Sequence, residues 1–222
     1  MTFRAAIFDL DGVLVDSARL HFVAWKRIAD ELAIPFDEHD NEALKGVDRM
    51  GSLEHILMLG GASLDLTARE ALAARKNGYY LDALATMSDA DILPGATALL
   101  GRARAAGLLL GVASASRNAT MVLDRAGLSD AVDFVADAAK VARSKPAPDI
   151  FLVCSDALGI KPAACVGFED AAAGVAAIKA AGMVAIGIGD GEILAAADLV
   201  FASTAQVDLD QVLRLSLSAP QV

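Results

Sequence analysis

Short apolar segments recur along the chain, and helical patterns separate most of them. Strand-like segments cover 4–8, 108–113, 164–168, 184–188 and 199–201, with a weaker one at 134–136. Helical patterns cover 95–106, 118–126, 147–158 and 171–181. Strands that alternate with helices through short loops are typical of parallel sheets covered on both faces. The sequence therefore predicts an α/β fold built on a doubly wound parallel sheet.

One long segment interrupts this alternation. Its helical periodicity covers 17–32, 38–44, 50–59 and 66–86, without a convincing strand. If the first strand and the next strand–helix unit are neighbours in the fold, the two ends of this segment lie close together. We therefore predict a core formed by residues 1–16 and 93–222, and an inserted helical cap domain, residues 17–92, over the carboxyl edge of the sheet.

Composition and charge exclude several classes of partner. The net charge of −10 argues against nonspecific binding to nucleic acids or to anionic membranes. The longest apolar runs are only as long as a strand, and the start of the chain lacks the pattern of a signal peptide. Cys154 and Cys165 lack the spacing of metal ligands and are predicted to be reduced core residues. We expect a cytoplasmic protein, a monomer, with no nucleic-acid or membrane partner.

Two carboxylates follow the first predicted strand, at Asp9 and Asp11, and Gly12 comes next, where it would allow a tight turn. Side chains two residues apart on an extended segment point the same way. Open α/β folds bind their ligands at the carboxyl ends of the strands. Two acids there, with a metal, can supply a nucleophile and a proton-transferring group. Paired surface aspartates are common, so the pair alone is a weak signal.

Polar residues also follow two later strands. Residues 113–118 carry small hydroxyl side chains at the start of a helical pattern, where free N–H groups and Arg117 would bind a phosphate. The alternative is a serine that caps the helix without a ligand. Glu169 and Asp170 end another strand, and the alternative there is helix capping by Asp170.

Lys145 precedes Pro146, which is predicted to occupy the first position of a helix. That position would hold Lys145 beside the edge of the sheet, where it would stabilise charge on a transferring phosphoryl group. The alternative is a solvated lysine before a helix that begins with proline. Four carboxylates at one edge are unfavourable without a cation, and oxygen ligands of this kind suit Mg²⁺ shared with a substrate phosphate.

These segments together resemble the four motifs of the haloacid dehalogenase superfamily. The motifs match in order as DLDG at 9–12, SAS at 114–116, KP at 145–146 and GFED at 167–170. The resemblance implies a Rossmann-like core in which Asp9 is the nucleophile that forms an aspartyl-phosphate and Asp11 is the general acid and base. It also implies two sets of binding residues. Mg²⁺ would be held by Asp9, the backbone carbonyl of Asp11, Glu169 and Asp170, and the transferring phosphoryl group by Ser114 and Lys145.

The inserted segment carries its own set of motif residues: His21 and Trp25 after Asp-Ser, then Leu44-Lys45-Gly46-Val47-Asp48-Arg49 with Ser52-Leu53, and Arg75-Lys76-Asn77 in the next helical pattern. With these residues the segment is similar, within that superfamily, to the helical cap of the β-phosphoglucomutase family. The resemblance implies that Arg49 binds the phosphate distal to the reaction and that His21, a catalytic residue, ties the position of Asp11 to cap closure. Lys76 would line the sugar pocket with the backbone of Gly46 and Val47. The full set of implied substrate-binding residues is Trp25, Lys45, Gly46, Val47, Asp48, Arg49, Ser52, Lys76, Asn77, Ala115, Ser116, Arg117 and Asn118.

The sequence departs from this family's pattern at a few positions. Arg117 stands where lysine is usual, which keeps the charge but changes its shape. Gly78 replaces a commoner polar residue, and Ala171-Ala172 follow the acidic pair where Ser-Gln is familiar. None of these changes removes a catalytic group, so they affect the expected substrate preference and leave the expected mechanism intact.

The resemblance predicts a phosphotransferase that interconverts β-glucose 1-phosphate and glucose 6-phosphate. The intermediate and activator would be β-glucose 1,6-bisphosphate, and the ligand a small sugar phosphate. One alternative is a sugar-phosphate phosphatase on the same scaffold, which gives the phosphoryl group to water. A more remote alternative is a non-catalytic sugar-phosphate-binding protein.

Overall fold

A six-stranded parallel sheet forms the centre of the computed structural model, which describes residues 2–218. The strands are β1 (Ala5–Phe8), β2 (Leu109–Val112), β3 (Phe134–Val135), β4 (Cys165–Glu169), β5 (Val184–Ile188) and β6 (Leu199–Phe201). Their order across the sheet is β3-β2-β1-β4-β5-β6, and every pairing is parallel. The strands predicted from the apolar segments are all present, and the α/β fold with a doubly wound sheet is confirmed.

Alternate residues of β1 face opposite sides of the sheet, as a strand's geometry requires. Ala6 and Phe8 belong to one apolar cluster, and Ala5 and Ile7 belong to another. Five helices cover these two faces: α5 (Ala96–Ala105), α6 (Ala119–Ala126), α7 (Asp149–Ala157), α8 (Ala172–Ala180) and α9 (Leu209–Ser218). Helices α5, α6 and α9 pack into the first cluster, and α7 and α8 pack into the second. The sheet is therefore buried between two helical layers.

Between β1 and α5 the chain forms four α-helices and contributes no strand to the sheet. These helices are α1 (Ala18–Glu31), α2 (Glu38–Glu42), α3 (Arg49–Leu59) and α4 (Leu66–Leu84). They enclose an apolar cluster of their own, which includes Trp25, Ile28 and Leu53. Asp48 and Asp65 cap the first turns of α3 and α4, because their carboxylates accept backbone N–H groups that a helix start leaves unpaired.

The two chain segments that join this helical unit to the sheet run side by side. Val15 pairs with Ile92 in an antiparallel bridge. The backbone N–H group of Leu93 donates to the carbonyl oxygen of Leu14 at 3.0 Å. The backbone N–H group of Asp16 donates to the carbonyl oxygen of Asp91 at 2.8 Å. The helical unit is thus connected to the core through two paired segments.

Two features of the fold differ from the sequence prediction. The prediction that Pro146 occupies the first position of a helix is wrong. Helix α7 begins at Asp149, and its N-cap residue is Pro148. The Lys145–Pro146 peptide bond is cis, and the chain turns there before the helix starts. Helix α9 was not predicted.

Across residues 2–218, the structure contains no helix long and apolar enough to cross a membrane.

Gly167 in β4 shows how closely the sheet and α8 pack. A Cβ atom at this position would lie 2.7 Å from Cδ1 and Cγ1 of Ile178 on α8. Gly101 on α5 is exposed, and a Cβ atom there would contact nothing within 4 Å. The glycine of the GFED motif therefore lets a helix approach the sheet.

We expect Gly167→Ala to lower the free energy of unfolding by about 1–3 kcal/mol, because overpacking displaces α8. Gly101→Ala is the matched control and should raise it by roughly 0.5–1 kcal/mol, since alanine favours an exposed helix. Urea unfolding followed by circular dichroism measures both. Equal stability of the two variants would contradict the close packing of β4 against α8.

Candidate active site

The carboxyl edge of the sheet brings the motif residues together. Asp9 directly follows β1, Ser114 lies two residues after β2, and Glu169 is the last residue of β4. Strands β2, β1 and β4 are neighbours in the sheet, so their ends meet at one place. Lys145 reaches the same place from the turn before α7. Residues as far apart in sequence as Asp9 and Glu169 therefore share one site.

A buried lysine holds two of the carboxylates. The ammonium group of Lys145 donates to Asp9 Oδ1 at 2.6 Å and also to Glu169 Oε1. The side chains of Lys145 and Glu169 are fully buried. Burial alone would lower the pKa of Lys145, but the two carboxylates outweigh it and raise that pKa above its usual value. Lys145 is therefore a permanent cation at the centre of the site.

The acidic cluster still carries more negative than positive charge. Oxygen atoms of Asp9, Glu169 and Asp170 all lie within 4.8 Å of one another. Burial, together with the charge of Glu169, raises the pKa of Asp170 to about 8, and burial also raises the pKa of Asp9. A divalent cation would relieve this repulsion, and carboxylate oxygens are the ligands it prefers. These three residues can therefore hold a metal ion.

Asp11 lies outside that cluster, in a different environment. Its carboxylate accepts hydrogen bonds from Ser17 Oγ at 2.5 Å and from Ser114 Oγ at 3.0 Å, and His21 Nε2 lies 3.6 Å away. Burial alone would raise the pKa of Asp11, but His21 and the two serine hydroxyl groups outweigh it and lower that pKa to about 2. Asp9 and Asp11 thus have pKa values shifted in opposite directions, which is suited to two different chemical roles.

His21 connects Asp11 to the helical unit. Its Nδ1 atom lies 2.7 Å from the ammonium group of Lys76 on α4, and its ring stacks on that of Tyr80 at 4.1 Å between centroids. Burial and, to a smaller extent, the charge of Arg49 lower the pKa of Lys76 to about 7. Burial also lowers the pKa of His21. When Lys76 is charged it can only donate, so Nδ1 then accepts and the imidazole proton is on Nε2, facing Asp11.

A second connection between the helical unit and the core involves Asn77. Its Oδ1 atom accepts from Arg49 Nη2 at 2.7 Å and from Asn118 Nδ2 at 2.9 Å. Burial lowers the pKa of Arg49, and so does the charge of Arg117. Two neighbouring guanidinium groups repel each other unless an anion lies between them. This part of the site is therefore suited to bind an anion.

A cavity of about 550 Å³ lies between the helical unit and the edge of the sheet. The residues proposed from the sequence that line it are Asp9, Asp11, His21, Trp25, Lys45, Gly46, Val47, Asp48, Arg49, Ser52, Lys76, Ala115, Ser116, Arg117 and Asp170. The others proposed from the sequence are Ser114, Lys145 and Glu169, which are buried at the edge of the sheet, and Asn77 and Asn118, which contact each other. The volume lies in the range of typical small-molecule pockets.

Two serines of the site were not predicted. Ser17 lies at the start of α1, where its position indicates a helix cap, but its side chain donates to Asp11 instead. Ser144 adjoins the KP motif, and its hydroxyl group donates to Asp48 Oδ2 at 2.6 Å. The sequence offered one signal for each serine, namely its position: Ser17 adjoins α1, and Ser144 adjoins Lys145.

Comparisons with known proteins agree with this architecture. Residues 3–182 match the family of haloacid dehalogenase-like hydrolases. The chain is 44% identical to a β-phosphoglucomutase of Bacillus subtilis (strain 168), over 93% of this chain and 92% of that protein. It is 33% identical to a fructose-1-phosphate phosphatase of Escherichia coli (strain K12), over 84% and 96%. The crystal structure of a β-phosphoglucomutase from Clostridium difficile superposes with a TM-score of 0.94 at 40% identity, over 97% and 98% of the two chains.

Removal of the buried cation should destabilise the protein increasingly as the pH rises. In Lys145→Met, the carboxylates of Asp9 and Glu169 lose the cation that both contact, and breaking a buried ion pair costs about 3 kcal/mol or more. Burial already raises the folded-state pKa of Asp9 in the wild type, and the loss of Lys145 raises it further. The extra cost of the variant from Asp9 therefore begins above the wild-type folded pKa and is complete above the folded pKa of the variant.

We therefore expect the difference in free energy of unfolding between Lys145→Met and the wild type to be larger at about pH 9 than at about pH 4, as measured by urea unfolding. Lys179→Met is the control, because it breaks an exposed ion pair with Asp198, which is worth about 1 kcal/mol at most. Millimolar Mg²⁺ should restore part of the stability of Lys145→Met. A loss that does not depend on pH would contradict the role of Lys145 as a counter-ion.

Proposed function

The chain belongs to the family of haloacid dehalogenase-like hydrolases, and from this premise we propose that it is a β-phosphoglucomutase. It interconverts β-glucose 1-phosphate and glucose 6-phosphate through β-glucose 1,6-bisphosphate, which also acts as activator. We assign residues 1–16 and 93–222 to the catalytic core, of which residues 1 and 219–222 lie outside the described residues, and residues 17–92 to the cap. Its action as a cytoplasmic monomer rests on the sequence pattern and belongs to the same proposal.

The observation that carries the proposal is that one cavity contains both Asp9 and a pair of repelling guanidinium groups. Asp9 lines the cavity at the edge of the sheet, and Arg49 and Arg117 line it as well. A mutase must hold a bisphosphorylated sugar, with one phosphate at the nucleophile and the other at a second site. The charges of Arg49 and Arg117 suit that second phosphate. A hydrolase that cleaves a monophosphate has no need of such a site.

The reaction has two phosphoryl transfers of opposite direction. In the first, the C6 hydroxyl oxygen of β-glucose 1-phosphate attacks the phosphorus of phosphorylated Asp9. The bond from phosphorus to Asp9 Oδ breaks, and the hydroxyl proton passes to Asp11. After the bisphosphate turns around, Asp9 attacks the other phosphorus, and Asp11 returns the proton to the leaving C1 oxygen. Glucose 6-phosphate is released, and Asp9 is phosphorylated again.

The remaining charged groups of the core act on the transferring phosphoryl group. Mg²⁺ bound by Asp9, the backbone carbonyl of Asp11, Glu169 and Asp170 would neutralise its charge and that of the carboxylates. Lys145 adds a fixed positive charge, and the hydroxyl group of Ser114 lies beside Asp11. His21 holds Asp11 in place from the cap, so that proton transfer depends on the closed position of the cap.

A sugar-phosphate phosphatase is the second candidate, because the E. coli relative named as a fructose-1-phosphate phosphatase is 33% identical. Both enzymes would use phosphorylated Asp9, and they differ only in the acceptor. In the phosphatase, water attacks the phosphorus, and inorganic phosphate leaves. The residues of the cap decide between the two, because they determine whether a sugar hydroxyl or water reaches the phosphorus.

Phosphorus NMR tests the proposal directly. We expect the enzyme with Mg²⁺ to convert β-glucose 1-phosphate into glucose 6-phosphate and to act faster when β-glucose 1,6-bisphosphate is added. The α anomer should remain unchanged, and Asp9→Asn should be inactive with either anomer. Inorganic phosphate as the main product would overturn the mutase in favour of the phosphatase. Full activity of Asp9→Asn would exclude the aspartyl-phosphate.

Arg49→Ala should weaken binding at the second phosphate. Because charge-assisted hydrogen bonds to a phosphate contribute about 1.5–3 kcal/mol, we expect KM and the activation constant of the bisphosphate to rise by roughly tenfold to a hundredfold. Arg75→Ala is the control, since Arg75 lies on the exposed side of α4 in an ion pair with Glu31. Steady-state kinetics measures both variants. Unchanged constants in Arg49→Ala would contradict the second phosphate site.

A further inference from the structure

One hydrogen bond joins the cap to the core loop that carries Lys145. Ser144 Oγ donates to Asp48 Oδ2 at 2.6 Å, and the two residues are 96 positions apart in sequence. Asp48 lies at the start of α3 in the cap, and Ser144 directly precedes Lys145. A change in the position of the cap therefore acts directly on the residue next to the buried lysine.

The carboxylate of Asp48 is held firmly on the cap side of this contact. Its Oδ1 atom accepts from the backbone N–H groups of Met50 at 2.8 Å and Gly51 at 3.1 Å, which fixes it as the N-cap of α3. Burial alone would raise the pKa of Asp48, but the hydrogen bonds from Ser144, Gly51 and Met50 outweigh it and lower that pKa. Both carboxylate oxygens thus have protein donors, and the group remains an anion.

Asp48 lines the cavity and is among the substrate-binding residues that the family resemblance implies, but its hydrogen bonds are with the protein. An anion in the wall of the cavity repels the phosphates of the substrate. Its two oxygen atoms are already occupied by the protein. It lies close enough to Arg117 for that charge to lower its pKa. The contacts of Asp48 thus join parts of the protein to each other.

A further connection between cap and core, at Asn77, is of a different kind. Asn77 accepts from Asn118 and from Arg49, and Arg49 is proposed to bind the distal phosphate. A phosphate that binds Arg49 competes with Asn77 for its N–H groups. The Asp48–Ser144 hydrogen bond uses no group proposed to bind phosphate, so it can persist while the substrate is bound.

We infer that Asp48 is a positioning residue whose hydrogen bond with Ser144 latches the cap onto the Lys145 loop and keeps water from phosphorylated Asp9. This inference rests on the proposed mutase function. When the latch is absent, the cap opens more often, and a water oxygen attacks the phosphorus. The bond from phosphorus to Asp9 Oδ then breaks, a water proton passes to Asp11, and inorganic phosphate leaves.

The chain offers a matched pair of variants. Asp48→Ser keeps a residue that caps a helix well, but its shorter side chain does not reach Ser144. Asp65→Ser makes the same change at the exposed N-cap of α4, where the carboxylate accepts only from Ala68 at 2.8 Å. Ser144→Ala removes the latch from the core side and leaves the cap of α3 unchanged.

The readout is the ratio of inorganic phosphate to glucose 6-phosphate, followed by phosphorus NMR with β-glucose 1-phosphate, β-glucose 1,6-bisphosphate and Mg²⁺. We expect this ratio to rise roughly tenfold in Asp48→Ser and in Ser144→Ala, as befits the loss of one charge-assisted hydrogen bond. The variant that combines Asp48→Ser with Ser144→Ala should show no further rise in this ratio, because either single change already breaks the hydrogen bond. Asp65→Ser should keep the ratio of the wild type.

The outcomes separate this inference from the proposed function. If the wild-type enzyme isomerises the sugar and Asp48→Ser keeps the same product ratio as Asp65→Ser, the latch is wrong and the mutase stands. If Asp48→Ser and Asp65→Ser lose equal thermal stability and the product ratio does not change, the latch is also wrong, since a purely structural role of Asp48 predicts that result. If the wild-type enzyme releases only inorganic phosphate, the proposed function fails, and the latch fails with it.

Discussion

The site depends on the crowding of carboxylates at one edge of the sheet and on the single buried lysine that opposes it. Asp9 and Glu169 end neighbouring parallel strands, so the fold itself forces them together. Lys145 contacts both, but one cation cannot neutralise three acids. The remaining negative charge makes the site a receptor for a divalent cation and, through it, for a phosphate. The stability of the apoprotein and its affinity for metal are therefore linked through the same residues.

The second aspartate shows how the same strand end supports a different role. Asp11 is two residues from Asp9, but its hydrogen bonds come from Ser17 at the start of the cap and Ser114 in the core. His21, also from the cap, presents a nitrogen to it at 3.6 Å. Asp11, the proposed general acid and base, is thus held partly by cap residues, whereas Asp9, the proposed nucleophile, is held by the core alone. In the proposed mechanism, closure of the cap can therefore control proton transfer without disturbing Asp9.

The sheet and the motif residues could be predicted because their signals are local. Buried strands are short apolar runs, and the residues just after them reach the same edge in any parallel sheet. The prediction for Pro146 was wrong. A proline before a helical pattern favours the first turn of a helix, whereas here the chain makes a turn at Pro146 and α7 begins only at Asp149. The partners of Asp48 and Asn77 were not predictable. They lie in other parts of the chain, and only the packing of the cap on the core brings them together.

The difference between a mutase and a phosphatase is then a matter of how long the cap stays closed. The groups proposed to form and break the aspartyl-phosphate belong to the core, and they do not distinguish water from a sugar hydroxyl. The contacts that join the cap to the core include those of Ser17 and His21 with Asp11. Two others differ in kind, because phosphate can replace the one at Asn77 but not the one at Asp48. In the proposed mechanism, the first makes closure responsive to the substrate, and the second adds to the preference for the closed state. A cap without the contact at Asp48 would open more often when the phosphate leaves its second site. Water would then reach Asp9 whenever Asp9 is phosphorylated, which is before the bisphosphate forms and again after the bisphosphate has returned a phosphoryl group.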